Sequence, residues 1–445
     1  MILKNGLICF PGENDPFKAD LKIEKGKISQ IGHELKGDKV IDAKDLYVLP
    51  GGIDPHVHFN EPGFTEREDF HSGSRTAVAG GITTVVDMPC TSNPPITNMK
   101  NLKEKLAVIE KKSVVDFGLF GGVSSQSYNK SLKEEMEKLA AYVLGFKTYF
   151  ISGMDSFQSL NHYQFLTVLR KAKHLKKPIL LHAEDRNYVS FAEIVQRKRG
   201  SEWENYYESR PEIAEIIAVN NAVSLAKKAD ADLHIVHLGT AEAALCIKDF
   251  PNITGETAPH YLEFSLADLK RIGGALKTAP VVKKIANKAK LWELLKRGVI
   301  DFVASDHAPA PKRMKNTGSA WTDYSGIPGT TTLLPYIFSE GYMKRRLSLR
   351  RFLAIISENA ARRYGLYNRK GSVTIGKDAD LVLIDPRQNW QIKGEKFYSK
   401  GKITPFQNML LQGRINKTII RGEIVYDEKK GIVQSPGFGK FLKAK

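Results

Sequence analysis

Eight short apolar segments alternate with amphipathic helical stretches between residues 51 and 365, and this alternation constrains the fold more than any other feature. Strand-like runs separated by helical periodicity are typical of parallel β/α units, and eight such units predict an α/β protein with a (β/α)8 TIM-type barrel. A doubly wound open sheet is the alternative, but no GxGxxG motif follows an early strand. The segments are HVHF (56–59), ITTVVDMP (82–89), DFGLFGG (116–122), GFKTYF (145–150), PILLHAED (178–185), LHIVHLGT (233–240), NITGETAP (252–259) and DFVASDHAP (301–309).

The two ends of the chain carry short strand patterns without such helices. LKIEKGKISQIG places Gly26 between two apolar runs, as in a hairpin, and the C-terminal stretches GSVTIGKDADLVLIDP and NKTIIRGEIVYDE are similar. Because neither end is long enough to bury a core alone, we predict that the two ends pair into one small β-sandwich. The predicted domains are a composite sandwich of residues 1–50 and 366–445 and a barrel of residues 51–365.

Two irregular segments are open to interpretation. Residues 310–330 are rich in Gly, Ser, Lys and Pro, and they fit either a lid over a site or a plain surface loop. The final stretch PGFGKFLKAK (436–445) is predicted to be a loosely held end.

The net charge of +18 comes from 67 basic and 49 acidic residues, and it raises the question of nucleic-acid binding. Basic clusters such as Lys283-Lys284 and Arg345-Arg346 are short and have no interleaved aromatic residues. We therefore favour a solvated, lysine-rich surface without a nucleic-acid partner. Attraction of anionic substrates is a milder functional interpretation of the same charge.

The chain shows no signal for secretion or for membrane insertion. MILKNGLICF lacks the basic and long apolar regions of a signal peptide, and no apolar run reaches the length of a membrane span. Cys9, Cys90 and Cys246 are far apart and form no CxxC pair. This pattern predicts a protein of the reducing cytoplasm, without a disulfide framework.

Side chains able to bind metal fall at the C-terminal ends of several predicted strands, where barrel active sites are built. The period of two along a strand places His56 and His58 on the same face, so both can bind one ion. A lone histidine in a strand is more often a core or rim residue, but a whole set in barrel order favours a metal site. The set is His56, His58, Lys147, His182, His237 and Asp306.

Lys147 lies inside the apolar segment GFKTYF, where a charged amine is costly to bury. Burial lowers a lysine pKa, and the neutral amine can react with CO2 to give a carbamate that bridges two metal ions. A lysine that extends to the barrel rim or pairs with an acid is the alternative, and the local sequence alone favours it. The neighbouring histidine set favours the bridging carbamate.

Nitrogen and oxygen ligands without thiolate suit Zn2+, with Mn2+ or Fe2+ as alternatives. Two such ions would hold and activate one water molecule. Asp306 is the predicted catalytic residue, because it can take a proton from that water and deliver it to a leaving amide nitrogen. Of the other histidines, His260 and His307 border the predicted site, whereas His234 is given a structural role.

These motifs resemble the amidohydrolase superfamily, specifically its cyclic amidohydrolase branch of allantoinase, dihydroorotase and hydantoinase. PGGIDPHVHFNEPG is similar to the first-strand signature, GFKTYF carries the lysine that the family carboxylates, and LLHAED, HIVHLGT and VASDHAP carry the remaining ligands. GSRTAVAGGITTVVDMP and GKDADLVLID extend the resemblance over nearly the whole chain. The resemblance implies two metal ions, a barrel with a sandwich, a small cyclic amide substrate and a homo-oligomer, either a dimer or a tetramer.

Within this branch the chain looks most like allantoinase, which opens the hydantoin ring of allantoin to allantoate in purine catabolism. HFNEPG, the GFK segment continuing to SGMDSF, LWELLKRGVIDFVASDH, APKRMK and SAWTDYSGIPG carry this likeness. Hydantoinase (dihydropyrimidinase) is a weaker match. A catalytically inactive scaffold is the non-enzyme alternative, but such a protein is expected to lose ligands and none of the six is lost here.

Dihydroorotase is the main rival, and four candidate substrate-binding positions bear on it: Asn60, Cys90, Thr278 and Ala310. Dihydroorotases usually bind the substrate carboxylate with an arginine two residues after HxH, where this chain has Asn60. They often have an asparagine at Cys90 and a histidine at Ala310. The loss of all these polar contacts should greatly weaken the binding of an anionic substrate. Three other segments, GETAPH, KTAPV (with Thr278) and DHAPAP, nevertheless resemble dihydroorotase in part.

Overall fold

The structure is a computed structural model that describes residues 1–444. Its N-terminal part consists of strands β1 (Ile2–Ile8), β2 (Phe17–Glu24), β3 (Lys27–Gly32), β4 (Val40–Asp42) and β5 (Tyr47–Pro50). Strands β2 and β3 form an antiparallel hairpin. The turn residues Lys25 and Gly26 have φ angles of 51° and 76°, as a two-residue type I′ turn requires. The predicted hairpin at Gly26 is therefore found.

The central part contains parallel strands, and every predicted strand segment overlaps at least one of them. The strands pair in the orders β6-β7-β8 and β14-β13-β12-β11-β10-β9, with parallel ladders throughout. These two parallel sheets confirm the α/β class. The strands are β6 (Gly52–Val57), β7 (Ile82–Asp87), β8 (Asp116–Leu119), β9 (Gly121–Gly122), β10 (Phe146–Tyr149), β11 (Ile179–His182), β12 (Leu233–Ile235), β13 (Ile253–Thr257) and β14 (Phe302–Val303).

The two parallel sheets are not joined into one closed ladder, but hydrogen bonds cross both gaps between them. At one gap the Leu144 amide donates to the Leu119 carbonyl over 3.0 Å, next to the junction of β8 and β9. At the other gap the His58 amide donates to the His307 carbonyl over 2.8 Å. The C-terminal ends of the first and last parallel strands therefore lie side by side.

Helices connect the parallel strands and follow the predicted periodicity, since LKEKLAVIEK falls almost wholly within α2 and YQFLTVLRKAKHL within α5. Asn161 begins α5 with a reciprocal capping interaction with Gln164. The helices are α1 (Phe70–Ala79), α2 (Met99–Ile109), α3 (Tyr128–Lys130), α4 (Met136–Ala140), α5 (His162–His174), α6 (Arg186–Arg197), α7 (Trp203–Ser209), α8 (Glu212–Ala229), α9 (Ala241–Leu245), α10 (Pro259–Glu263), α11 (Leu266–Ile272), α12 (Ile285–Arg297), α13 (Lys312–Lys315), α14 (Thr330–Tyr336), α15 (Leu349–Leu353) and α16 (Asn359–Arg363).

Shorter helical turns complete these connections. Three are π-helical, at Ser131–Glu135, Ile337–Met343 and Ala354–Glu358, and two are 3-10 turns, at Gly273–Leu276 and Gly394–Lys396. Within residues 1–444, no helix has both the length and the hydrophobicity needed to cross a membrane.

The C-terminal strands return to the N-terminal ones, as the sequence predicts. β5 pairs with β15 in antiparallel orientation, and the combined sheet has nine strands. This sheet has its own apolar core, which includes the fully buried Leu21, Val48, Leu383 and Ile419. All nine strands belong to one hydrogen-bonded sheet, so the two-layer sandwich itself stays a prediction. The C-terminal strands are β15 (Leu381–Gln391), β16 (Leu410–Ile420), β17 (Glu423–Asp427) and β18 (Gly431–Ile432).

A buried ion cluster fastens the nine-stranded sheet to the central region. The Lys370 amine donates to the Asp116 carboxylate at the start of β8 over 2.8 Å and to the Asp380 carboxylate over 2.5 Å. The Arg421 backbone amide donates to Asp380 over 2.8 Å. Because removal of one partner leaves the others buried and unpaired, such a cluster strongly fixes the relative position of its elements.

The prediction of a loosely held C-terminal end is wrong for residues 436–444. The Phe117 amide in β8 donates to the Lys440 carbonyl over 3.0 Å, and the Leu442 amide donates to the Phe117 carbonyl over 2.8 Å. Leu442 is only 4% exposed. The segment is held because its backbone pairs with β8 and its apolar side chains fill space beside that strand.

Candidate active site

His56, His58 and Asp306 form a compact group at the C-terminal ends of the first and last parallel strands. His56 lies in β6, His58 directly follows it, and Asp306 follows β14. The Nε2 atoms of both histidines lie 3.2 Å from Asp306 Oδ1. Ligand atoms from all three residues lie within 4.8 Å of one another, so this group is a possible metal site.

His182 and His237 extend this group across the strand ends. His182 is the last residue of β11, and His237 follows β12 by two residues. His182 Nδ1 lies 3.0 Å from His237 Nε2. The His237 ring centroid is 5.4 Å from that of His56. The four predicted histidine ligands therefore form one continuous cluster.

Lys147 lies in β10 and is completely buried. Its Nζ has no hydrogen-bond partner and lies 5.0 Å from the centroid of the Tyr149 ring. Burial lowers the pKa of Lys147 to about 8, against the opposing effect of nearby acids that include Asp306. The amine neither extends to the rim nor pairs with an acid, which were the two alternatives to a modified lysine.

Three of the four imidazoles favour the neutral form, and they lie beside the ionised Asp306 carboxylate. Burial lowers the pKa of His56, His182 and His237, and a neutral imidazole is the form that binds metal. Burial also lowers the pKa of His58, but hydrogen bonds with Asp306 and Cys90 outweigh it and raise the pKa to about 10. Burial raises the pKa of Asp306, yet the surrounding histidines lower it far below its usual range.

Three residues of the predicted site adopt left-handed backbone conformations. The φ angles are 58° at Asn60, 39° at His237 and 49° at Asp306. This region is uncommon for residues other than glycine, and it costs conformational energy that the surrounding structure must offset. At His237 and Asp306 the left-handed backbone occurs just after a parallel strand ends, and both residues line the cleft.

Glu256 supports His56 from behind, and sequence reasoning missed it. Its carboxylate contacts His56 Nδ1 closely, and its second oxygen lies 3.2 Å from His234 Nε2. A carboxylate on the far ring nitrogen orients a metal-binding histidine and raises its basicity. His234, for which the sequence predicts a structural role, lies beside this carboxylate, but within residues 1–444 neither its Nε2 nor Glu256 Oε2 forms a hydrogen bond. The only sequence signal was the position of Glu256 in β13, inside GETAP.

Glu184 plays the same part for His182. His182 Nε2 lies 2.8 Å from Glu184 Oε2, and the Arg210 guanidinium donates to the same carboxylate over 2.6 Å. Arg210 and His182 together lower the pKa of Glu184 although burial raises it, so the carboxylate stays ionised. The spacing of two residues between His182 and Glu184 could have revealed this pair.

We expect Glu256→Gln to weaken metal binding by about 10- to 100-fold, because a carboxylate behind a ligating histidine typically contributes that much. The amide keeps the size of the side chain but loses the negative charge beside His56 Nδ1. Metal content measured against chelators of graded affinity would check this. Glu263→Gln is the control, since Glu263 accepts from Tyr336 away from the cluster, and metal affinity should stay unchanged. Equal affinity in Glu256→Gln and the wild type would contradict the assigned role.

The four predicted substrate contacts are buried, and none of them lines the main cleft. Asn60 Nδ2 donates to the His58 carbonyl over 3.0 Å, while its Oδ1 has no partner. Cys90 Sγ lies 2.9 Å from the Tyr149 hydroxyl. Both side chains therefore lie directly behind the cluster, and contact with a substrate stays a prediction.

Thr278 and Ala310 lie farther from the histidines but next to the cleft wall. The Thr278 carbonyl accepts from the Tyr206 hydroxyl over 3.0 Å, and its neighbours Lys277 and Ala279 line the cleft. Ala310 packs against the backbone of Gly401. In the same motif, DHAPAP, the alanine that lines the cleft is Ala308.

A cleft of about 1030 Å³ opens above the cluster. Its size is ample for a small cyclic ligand, because drug-sized ligands occupy pockets of roughly 300–1,000 Å³. His56, His58, His182, His237 and Asp306 line it. The walls add residues that sequence reasoning missed, among them Arg67, Tyr149, Arg210, Lys277, Trp321 and Tyr324.

The segment 310–330 supplies one wall of this cleft, and buried lysines hold it in place. The Lys315 amine donates to the carbonyls of Tyr324 and Gly326 over 2.9 and 2.7 Å. The Lys277 amine donates to the Asp323 carbonyl over 2.5 Å. The segment is therefore part of the site and not a remote surface loop, while its movement as a lid stays a prediction.

The chain belongs to the amidohydrolase family, since the model of that family matches residues 47–425. This confirms the resemblance read from the motifs. Curated relatives are allantoinases: the chain is 37% identical to that of Rubrobacter xylanophilus, over 96% of this chain and 94% of the relative. It is 34% identical to that of Deinococcus radiodurans, over 96% and 95%.

Solved structures of two related enzymes superpose closely. The L-hydantoinase (dihydropyrimidinase) of Arthrobacter aurescens has a TM-score of 0.94 and 28% identity, over 100% of this chain and 99% of that one. The dihydropyrimidinase of Brevibacillus agri has a TM-score of 0.92 and 28% identity, over 100% and 98%.

Proposed function

We propose that this protein is a hydrolase of cyclic amides and that allantoin, which it converts to allantoate, is its substrate. The observation that carries the proposal is the cluster of buried histidines and the Asp306 carboxylate at the floor of a cleft, together with the fully buried, unpaired amine of Lys147. Allantoinases among its relatives, matched over nearly the full chain, support the choice of substrate.

The donor set fits two divalent metal ions. We propose that His56, His58, His182, His237 and Asp306 would hold the ions and that Lys147, as a carbamate, would be a further ligand. Lys147 Nζ is a buried polar atom without a hydrogen-bond partner within residues 1–444, and His182 Nδ1 and His237 Nε2 face each other over 3.0 Å. The absence of thiolate from the donor set favours Zn2+, with Mn2+ or Fe2+ as alternatives. Bound ions of this kind lower the pKa of water and polarise a scissile carbonyl.

The protein's own residues then move the protons. The Asp306 carboxylate takes a proton from the attacking water while the water oxygen bonds to the ring carbonyl carbon. Asp306 next donates that proton to the ring nitrogen while the carbon–nitrogen bond breaks, which leaves a carboxylate and a ureido group. Glu256 and Glu184 hold His56 and His182 in fixed orientations throughout.

The same proposal includes the wider architecture. Hydrogen bonds across both gaps support closure of the parallel strands into a (β/α)8 barrel of residues 51–365. The nine-stranded sheet supports a second domain of residues 1–50 and 366–445, for which we propose a β-sandwich. We also propose a homo-oligomer, either a dimer or a tetramer, and a cytoplasmic location.

A substrate panel tests the proposal directly. We expect the zinc-loaded protein to hydrolyse allantoin with a larger kcat/KM than dihydroorotate, hydantoin or dihydrouracil. Preference for hydantoin or dihydrouracil would favour the hydantoinase alternative, which the solved structures support. Preference for dihydroorotate would overturn our interpretation of Asn60, Cys90 and Ala310. No turnover of any of the four by metal-loaded protein would favour an inactive scaffold.

A further inference from the structure

The Arg67 side chain is held between two aromatic rings on the wall of the cleft. Its guanidinium carbon lies 4.5 Å from the centroid of the Phe64 ring and 5.0 Å from that of the Tyr324 ring. Phe64 belongs to the loop between β6 and α1, whereas Tyr324 belongs to the segment 310–330, and both residues line the cleft. Stacking on aromatic faces fixes the plane of a guanidinium and so reduces the entropy lost when its donors bind a ligand.

The charge of Arg67 is not neutralised by a carboxylate within residues 1–444. The neighbouring Glu66 pairs with Arg313 at 2.7 Å, and Glu68 accepts from the Ser399 hydroxyl over 2.5 Å. Arg67 lines the cleft and its side chain is partly exposed there. Because no carboxylate compensates its charge, the guanidinium is available to a ligand in that cleft.

Arg67 also lies close to the predicted chemistry. Arg67, His58 and Asp306 line the same cleft. Arg67 and Asp306 both affect the pKa of Tyr324. Burial raises this pKa, the Arg67 cation lowers it, and the Asp306 carboxylate raises it. Because Arg67 and Asp306 line one cleft, a single ligand in that cleft can contact both groups.

We propose that Arg67 is a specificity-determining residue that binds the ureido arm of the substrate. This inference rests on the proposed function, because allantoin is a hydantoin ring that carries a ureido group. The carbonyl oxygen of that group accepts hydrogen bonds, and the planar guanidinium donates them in a fork of matching geometry. Hydantoin and dihydrouracil lack the arm and cannot make this contact, so Arg67 distinguishes allantoin from unsubstituted rings.

The first test compares substrates with and without the arm. We expect Arg67→Met to lower kcat/KM for allantoin by about 10- to 100-fold, as the loss of a charge-assisted hydrogen bond implies. The value for hydantoin should change by less than about threefold, because no hydrogen bond of that kind is lost with it. Arg67→Lys should fall between the wild type and Arg67→Met, since lysine keeps the charge but loses the planar fork. Equal losses for both substrates, or no loss for allantoin, would overturn the proposal.

A second measurement does not depend on hydantoin turnover. Allantoate carries one ureido group more than N-carbamoylglycine, so it should inhibit the wild type more strongly, by about 10- to 100-fold. Arg67→Met should bring the ratio of the two inhibition constants close to one, and an unchanged ratio would refute the contact. Arg186→Met removes a charge from the same cleft and should shift both inhibitors by the same factor.

The two proposals fail in different ways. If the wild type does not hydrolyse allantoin, the proposed function fails and the role of Arg67 fails with it. If the wild type hydrolyses allantoin but Arg67→Met does so equally well, only the role of Arg67 fails. Metal content and thermal midpoint should match the wild type in Arg67→Met, because the side chain is partly exposed and methionine keeps its length.

Discussion

Replacing Asp306 with asparagine is expected to reduce the turnover of allantoin by about 100- to 10,000-fold, the range that a general acid–base group contributes. The amide keeps an oxygen that can face His56 and His58, both 3.2 Å away in the wild type. It cannot accept and return a proton at neutral pH. Metal content, measured by elemental analysis beside the steady-state rate, should therefore remain largely intact while turnover is lost.

Asp249→Asn provides a matched control for this experiment. Asp249 is an exposed carboxylate, and it does not line the cleft that contains Asp306. The same change of charge there should leave turnover within about threefold of the wild type, because exposed substitutions away from special features have small effects. Near-native turnover in Asp306→Asn would refute its role in proton transfer.

Lys147→Ala is expected to lose turnover and one or both metal ions. The loss should exceed the about 10- to 100-fold effect typical of residues behind the ligands, because the proposed bridge itself is removed. The substitution leaves a cavity at a fully buried position, and a short carboxylic acid such as acetate should enter it and restore part of the activity. Turnover and metal content measured with increasing acetate would check this.

Lys147→Met separates rescue of the bridge from nonspecific stabilisation. Methionine fills the space that alanine vacates, so added acetate should not restore activity in that variant. Full activity of Lys147→Ala without any additive would eliminate the carbamate. The wild type offers an independent readout, since only the neutral amine reacts with CO2. With the pKa of Lys147 lowered to about 8 by burial, uptake of labelled bicarbonate by metal-free protein should increase as the pH rises through 8.

Much of the site followed from local pattern. HxH places two imidazoles on the same face because side chains alternate along a strand, and Asp306 was expected beside them because parallel strand ends converge at one mouth. Both inferences need only the period of a strand and the order of the elements. Lys147 needed the histidine set as well, because a lone lysine in an apolar strand can also extend to the rim or pair with an acid.

Glu256 and Tyr324 were missed because their partners are distant along the chain, whereas Glu184 lies only two residues from its partner His182. Glu256 contacts His56 across 200 positions, and no local spacing reveals such a pair. Tyr324 packs against Arg67, which is also far from it in the sequence. The four expected substrate contacts were chosen by their spacing from motifs, and the structure places their side chains behind the wall instead of on it.

Periodicity along this chain therefore determined the parallel strands, the helices between them and the strand ends that carry the histidines. Alternation along a strand and around a helix is a local property, so the sequence displays it directly. Only the tertiary structure decided which carboxylates contact the histidines, which residues line the cleft and which strand the C-terminal segment pairs with. Those contacts depend on how separate elements pack, and packing is set by the shapes of side chains that are far apart in the sequence.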